Sequence, residues 1–171
     1  DAVCDALYAD FKKPTFESLA TETQIVLAEI RLAIKKLDRW AKPKKVSASW
    51  INFPSSEWIH KEPYGTILVI APWNYPFQLA LSPVIGAIAA GNTIVLKPSE
   101  MAPHTSAILK EIIEAVCLPE HVAVVEGGVE ISQELLAQRW DYIFFTGSTQ
   151  VGQIVYESAA KHLTPVTLEL G

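Results

Sequence analysis

Apolar residues recur at three- and four-residue steps through Leu27, Ile30, Ile34 and Leu37, and Trp40 completes the stripe. This spacing predicts one amphipathic helix over residues 14–41, stopped by Pro43. The pattern then changes. Residues 46–63 mix Trp50, Ile51, Phe53, Trp58 and Ile59 with a central Pro54-Ser55-Ser56. They read as two short strands around a turn, an arm-like hairpin whose aromatic side chains need cover from a neighbouring domain or subunit.

Beyond Tyr64-Gly65, short β-branched or aromatic runs alternate with helical stretches. Strands are predicted at 66–71, 93–96, 122–125, 142–145 and 166–170. Helices are predicted at 77–90, 103–116, 129–138 and 148–161, with Gly91 as a C-cap and Pro103 at a first helical position. Strands separated by helices of this length imply a parallel twisted sheet with right-handed crossovers. The expected fold is therefore α/β. A Rossmann-like sheet with flanking helices spans 64–171, preceded by a helical segment at 1–45 and the arm at 46–63.

Composition narrows the function classes. Half of the 171 residues are hydrophobic and 19% are charged, which allows a large core. A mean hydropathy of +0.21 points to apolar surface meant for another domain or subunit. Net charge is −5 with no long basic run, and Lys42, Lys44 and Lys45 form only a small cluster, so nucleic acid is not an expected partner. Residues 64–96 contain no Asp, Glu, Lys or Arg. A membrane-spanning helix needs about 20 uninterrupted apolar residues. Here Pro72, Asn74, Pro76, Gln78, Pro83 and Asn92 interrupt the run, so no span is expected. Cys4 and Cys117 lie far apart and suggest packing residues in a reducing, cytoplasmic compartment. His60, His104, His121 and His162 have no metal-ligand spacing, so no metal site is expected. The chain opens at Asp1 and stops at Gly171 just after a strand-like run, as a piece of a longer protein would.

Ligands of parallel sheets bind beyond the carboxyl ends of the strands. Those ends carry Trp73-Asn74, Lys97-Pro98-Ser99-Glu100, Gly127-Gly128 and Thr146-Gly147-Ser148. Asn74 offers an uncharged N–H donor pair, suited to a transient oxyanion and equally common in turns. Ser148 and Thr149 open a helix, where free N–H groups attract phosphate; an ordinary Ser N-cap reads the same way. Gly147 to Gly152 has the spacing of a P-loop, but Gln153 stands at the lysine position, which disfavours a triphosphatase. The three-glycine dinucleotide fingerprint is also absent. Lys97 and Glu100 could hold ribose hydroxyls, or form a surface ion pair of little worth. Glu169, between Leu168 and Leu170 at the end of an expected core strand, could have a raised pKa and serve as a base; an exposed edge-strand carboxylate fits the local pattern equally well.

Taken in order, five motifs resemble those of the aldehyde dehydrogenase superfamily. They are Ala71-Pro72-Trp73-Asn74-Tyr75-Pro76-Phe77, Gly91-Asn92-Thr93, Lys97-Pro98-Ser99-Glu100, Phe145-Thr146-Gly147-Ser148 with Val151-Gly152, and Leu168-Glu169-Leu170-Gly171. Tyr75, together with His162-Leu163-Thr164-Pro165-Val166, is most similar to the class 3 branch, whose members oxidise medium-chain, fatty and aromatic aldehydes. The resemblance implies an oxyanion-hole role for Asn74 and a general-base role for Glu169. It implies that Lys97 and Glu100 bind the adenosine ribose, that Gly147 and Ser148 contact the pyrophosphate and that Val151 lies near the adenine. Trp73, Ser99 and Gly127 join them as candidate cofactor-binding residues on the same strand ends. The implied cofactor is NAD, with NADP as the alternative, and the implied assembly is a homodimer.

The family's nucleophilic cysteine lies beyond the motif that holds Glu169, so it is expected past Gly171, and neither Cys4 nor Cys117 matches its position. Two further readings stand beside the dehydrogenase one. The chain could be a non-catalytic nucleotide-binding or oligomerisation module of a degenerate family member. A hydrolase using Ser148 would need a nucleophile elbow and a histidine partner that the sequence lacks.

Overall fold

A computed structural model describes residues 1–171. Its centre is a five-stranded sheet of β3 (Thr66–Ile70), β4 (Thr93–Lys97), β5 (Val122–Val124), β6 (Tyr142–Gly147) and β7 (Val166–Leu170). The strand order is β5-β4-β3-β6-β7, and every pairing is parallel. The crossover helices are α4 (Gln78–Ala89), α5 (Pro103–Val116), α6 (Val129–Leu136) and α7 (Thr149–Ala160).

Burial follows from the two-residue period of a strand packed on both faces. On β3, Ile67 and Val69 join a cluster with Leu81 and Val84 of α4 and Leu109 and Ile113 of α5. The intervening Leu68 faces the other way, into a cluster with Leu136, Ile143, Phe145 and Val155. β3 therefore has no solvated face, which is why its sequence is continuously apolar.

The expected sheet and its crossover helices are present, with element ends moved by at most two residues. The 103–116 helix and the 166–170 strand stand as the sequence placed them. The N-terminal region differs more. A helix α1 (Ala2–Phe11) precedes the expected one, capped by the Asp1 carboxylate. Its apolar residues Val3, Cys4 and Leu7 are buried, without a strong one-sided stripe to announce the helix. The expected 14–41 helix is broken into α2 (Thr15–Ser18), a π-helical turn at Leu19–Thr23, and α3 (Gln24–Ala41). The arm is real but starts earlier. β1 (Lys44–Val46) pairs antiparallel with β2 (Glu57–Ile59), and a 3₁₀ turn at Trp50–Asn52 lies between them. Trp50 and Phe53 are each 85% exposed, so the arm's aromatics are uncovered within this chain.

Candidate functional site

The chain runs outward from β3 through β4 to β5, then returns to the other side of β3 to lay down β6 and β7. The carboxyl ends of β3 and β6 therefore diverge at a topological switch point, where open α/β sheets form a crevice. A cleft of about 750 Å³ opens there. Its walls come from Pro72, Trp73 and Asn74 after β3, Thr146, Gly147 and Ser148 at the end of β6, and Glu169 near the end of β7. Leu79 and Pro83 of α4 and Phe144 of β6 form apolar flooring, with the Ser82 hydroxyl beside them; the sequence assigned none of the four to a site.

Asn74 is exposed to the cleft. Its Oδ1 accepts the Tyr75 N–H at 3.1 Å, which orients the amide and leaves the Nδ2 donors free for a ligand. Glu169 pairs in register with Thr146 on the edge strand β7. The core-strand expectation for it is corrected: β7 has a neighbour on one side only, and Glu169 is exposed. A hydrated carboxylate facing the same cleft as a free amide donor can take a proton from water.

Ser148 is the N-cap of α7, its Oγ accepting the Val151 N–H at 3.3 Å. The helix's remaining free N–H groups point toward the strand-end side of the sheet, a setting suited to an anion. Val151 is half-exposed on the first turn of the same helix. Gly147 has a steric reason to be glycine: a Cβ there would meet the Phe145 ring at 2.6 Å. Gly127 has φ +149°, and a Cβ on it would lie 2.4 Å from Ile131 Cγ1, so backbone and packing both demand glycine.

Lys97 ends β4 only 2% exposed, and its Nζ donates to Glu100 Oε2 at 2.6 Å. The reading of this pair as a plain surface bridge is corrected by that burial. An ammonium has three donors, and Glu100 is its one protein acceptor here, so donors remain for a ligand. Ser99 is buried and its Oγ accepts the Met101 N–H at 3.2 Å, shaping the loop rather than facing outward. Lys97, Ser99, Glu100, Gly127 and Val151 share the strand-end side with the cleft but do not line it.

Partial burial pushes the Glu100 carboxyl up, but the Lys97 hydrogen bond, its own backbone N–H and the Lys97 charge outweigh this and hold it below its ordinary value. A carboxylate with a depressed folded pKa adds stability above its unfolded pKa, and that stability is lost as pH falls through the folded value. Lys97→Met should remove this contribution. In urea unfolding of the full-length protein, the wild type's advantage attributable to the pair is expected to be full at neutral pH and to fade below about pH 4. A difference between the two proteins that stays constant down to about pH 3 would contradict the assignment.

No group of three or more His, Cys, Asp or Glu is arranged to hold a metal ion. No helix is long and apolar enough to cross a membrane.

A crevice at the switch point of a parallel sheet, with a helix N-terminus on one side and a buried ammonium nearby, defines an open α/β protein that would take its ligand at the strand ends. The model of the aldehyde dehydrogenase family matches residues 1–171, and the chain belongs to that family. It is 51% identical over 166 residues to aldehyde dehydrogenase family 3 member H1 of Arabidopsis thaliana, covering 97% of this chain and 34% of that protein. Among solved structures, substrate-bound AldH of Staphylococcus aureus superposes with TM-score 0.97 at 48% identity, covering 99% of this chain and 37% of that one. An aldehyde dehydrogenase of Mycobacterium tuberculosis complexed with NAD+ superposes with TM-score 0.87 at 32% identity, over 98% of this chain and 34% of that one. The class 3 relationship is thus supported, and the chain spans about a third of the length of these relatives.

Proposed function

We propose that the full-length protein oxidises aldehydes to carboxylic acids with NAD+, or with NADP+ in its place, through a cysteine thioester. The observation that carries this reading is the juxtaposition of Asn74 and Glu169 on one cleft at the switch point. Medium-chain, fatty and aromatic aldehydes are the favoured substrates, as the resemblance of Tyr75 and His162-Leu163-Thr164-Pro165-Val166 to the class 3 branch implies.

The residues present fit a dinucleotide. The buried Lys97 ammonium retains donors for ribose hydroxyls, Glu100 is an ionised acceptor beside it, and the capped start of α7 favours a pyrophosphate. Trp73, Ser99, Gly127, Gly147 and Val151 shape the strand-end surface around these groups. When bound, NAD(P)+ supplies the hydride acceptor. Asn74 Nδ2 donates to the substrate oxygen as negative charge builds on it during attack by a thiolate. Glu169 takes a proton from the water that attacks the thioester carbonyl; the C–S bond then breaks, the thiolate is regenerated and the carboxylic acid leaves.

The thiolate must come from elsewhere in the full-length polypeptide, beyond Gly171. Cys4 is buried in α1 and Cys117 caps the far end of α5, and neither lines the cleft. The 171-residue chain alone is therefore expected to give no turnover. The exposed arm residues Trp50, Ile51 and Phe53 favour a homodimer in which a second copy covers them. The expected location is the cytoplasm.

The test is aldehyde-dependent formation of reduced cofactor by the full-length protein, with hexanal and benzaldehyde as substrates. Turnover with either supports the reading. Cofactor binding without any aldehyde-dependent turnover overturns it and leaves a non-catalytic nucleotide-binding module.

A further inference from the structure

The segment that carries Asn74 is poorly held by the sheet. β3 ends at Ile70 and α4 begins at Gln78. Between them, Ala71 continues the ladder by donating its N–H to Lys97 O at 3.1 Å. Beyond that residue, the N-terminal segment grips the loop from outside.

Three contacts do this, one on each part of the loop. The Phe11 ring tilts against Trp73 with centroids 6.2 Å apart. The Lys13 ammonium sits 4.2 Å from the centroid of the Tyr75 ring. The Glu22 carboxylate reaches across to the start of α4, where its Oε2 accepts the N–H groups of Phe77 at 2.8 Å and Gln78 at 3.2 Å. Its other oxygen meets Lys13 Nζ at 2.5 Å.

Glu22 is fully buried and Lys13 is 8% exposed. Removing two charges from water costs about what their attraction returns, so such a pair is weak evidence for stability. What it does supply is direction. A carboxylate beneath two free N–H groups at a helix start satisfies orphan donors and complements the dipole. The π-helical turn Leu19–Thr23 contains Glu22; such turns arise where a helix departs from its regular register, frequently at functional sites. The residue gripped by Lys13 is Tyr75, whose N–H holds the Asn74 amide in place.

We propose that Glu22 and Lys13 are positioning residues for Asn74: through Tyr75, Phe77 and Gln78 they set the aim of its amide at the substrate oxygen. This rests on the oxyanion role given to Asn74 above. Glu22→Gln keeps an acceptor for Phe77 and Gln78 but cannot neutralise Lys13, so the loop should shift while α4 remains. Sub-ångström misplacement of a catalytic donor is costly, and kcat should fall roughly tenfold to a hundredfold.

The experiment is a double-mutant cycle in the full-length enzyme with Glu22→Gln, Asn74→Ala and both together. If Glu22 acts through Asn74, Glu22→Gln lowers kcat in the wild-type background but by less than about twofold in the Asn74→Ala background. The dissociation constant for NAD+ should be unchanged, and Glu22→Asp should recover part of the rate. An equal loss in both backgrounds, or an unchanged kcat, overturns the proposal. If Glu22→Gln does not fold, Lys13→Met and Glu22→Asp run through the same cycle. Amide hydrogen exchange over residues 73–78 gives a readout independent of turnover: faster exchange than wild type is expected in the Glu22 variant, and unchanged exchange counts against the clamp. Absence of aldehyde oxidation by the wild type would overturn the dehydrogenase reading, whereas activity with an additive cycle overturns the clamp alone.

Discussion

In the full-length enzyme, Glu169→Gln is expected to spare the first turnover and to slow the following ones by roughly 10²–10⁴-fold. The carboxylate lies on the exposed edge strand β7 and lines the cleft that Asn74 enters. Glutamine keeps its size and its hydrogen-bonding reach but not its basicity. If Glu169 deprotonates water, formation of the thioester needs nothing from it, and hydrolysis does. Rapid mixing should therefore show a burst of reduced cofactor close to one equivalent per site, followed by a slow steady state. Hydroxylamine, a nucleophile that needs no general base, should restore much of the rate. A uniform loss of burst and steady state would show that Glu169 acts before acyl transfer and would remove it from the base role.

The second large effect is expected at Asn74. Asn74→Ala should lower kcat/KM by roughly 10²–10³-fold, the range for loss of a single oxyanion donor. Unlike Glu169→Gln, it should abolish the burst, because charge develops on the substrate oxygen in the first step. The fold should tolerate the change. Asn74 is exposed, and its one hydrogen bond within the chain is the Tyr75 N–H at 3.1 Å. Asn74→Asp should be worse than alanine, since a carboxylate there repels the developing oxyanion. A full burst in Asn74→Ala would rule out the donor role.

The sheet was legible in the sequence because its strands are buried on both faces. Ile67, Leu68 and Val69 form an unbroken apolar run, and turn residues punctuate each crossover. α1 was not legible, since its buried residues Val3, Cys4, Ala6 and Leu7 form no clear amphipathic stripe. The π-helical turn was hidden for another reason. Leu27, Ile30, Ile34 and Leu37 share one continuous helical period, and a single widened turn upstream leaves that period intact. The candidate site divides similarly. The strand-end motifs announced Asn74, Lys97, Gly147 and Ser148. The cleft residues Leu79, Pro83 and Phe144 are apolar and had no distinguishing chemistry, and the Ser82 hydroxyl reads as an ordinary helix surface group. Glu22 carried no signal at all, because one glutamate on an amphipathic helix reads as solvated.

The sequence by itself determined the fold class, the order of strands and helices from Thr66 onward, and the family. These follow from local periodicity, turn chemistry and ordered motifs, which need no knowledge of what lies next to what. Tertiary structure alone decided that β6 lies beside β3, so that Asn74 and Glu169, 95 residues apart in the sequence, line one cleft. It also decided that Lys97 is buried and Glu169 exposed, and that Glu22 reaches the start of α4. Strand order and burial depend on contacts between segments distant along the chain, and local pattern carries no record of them.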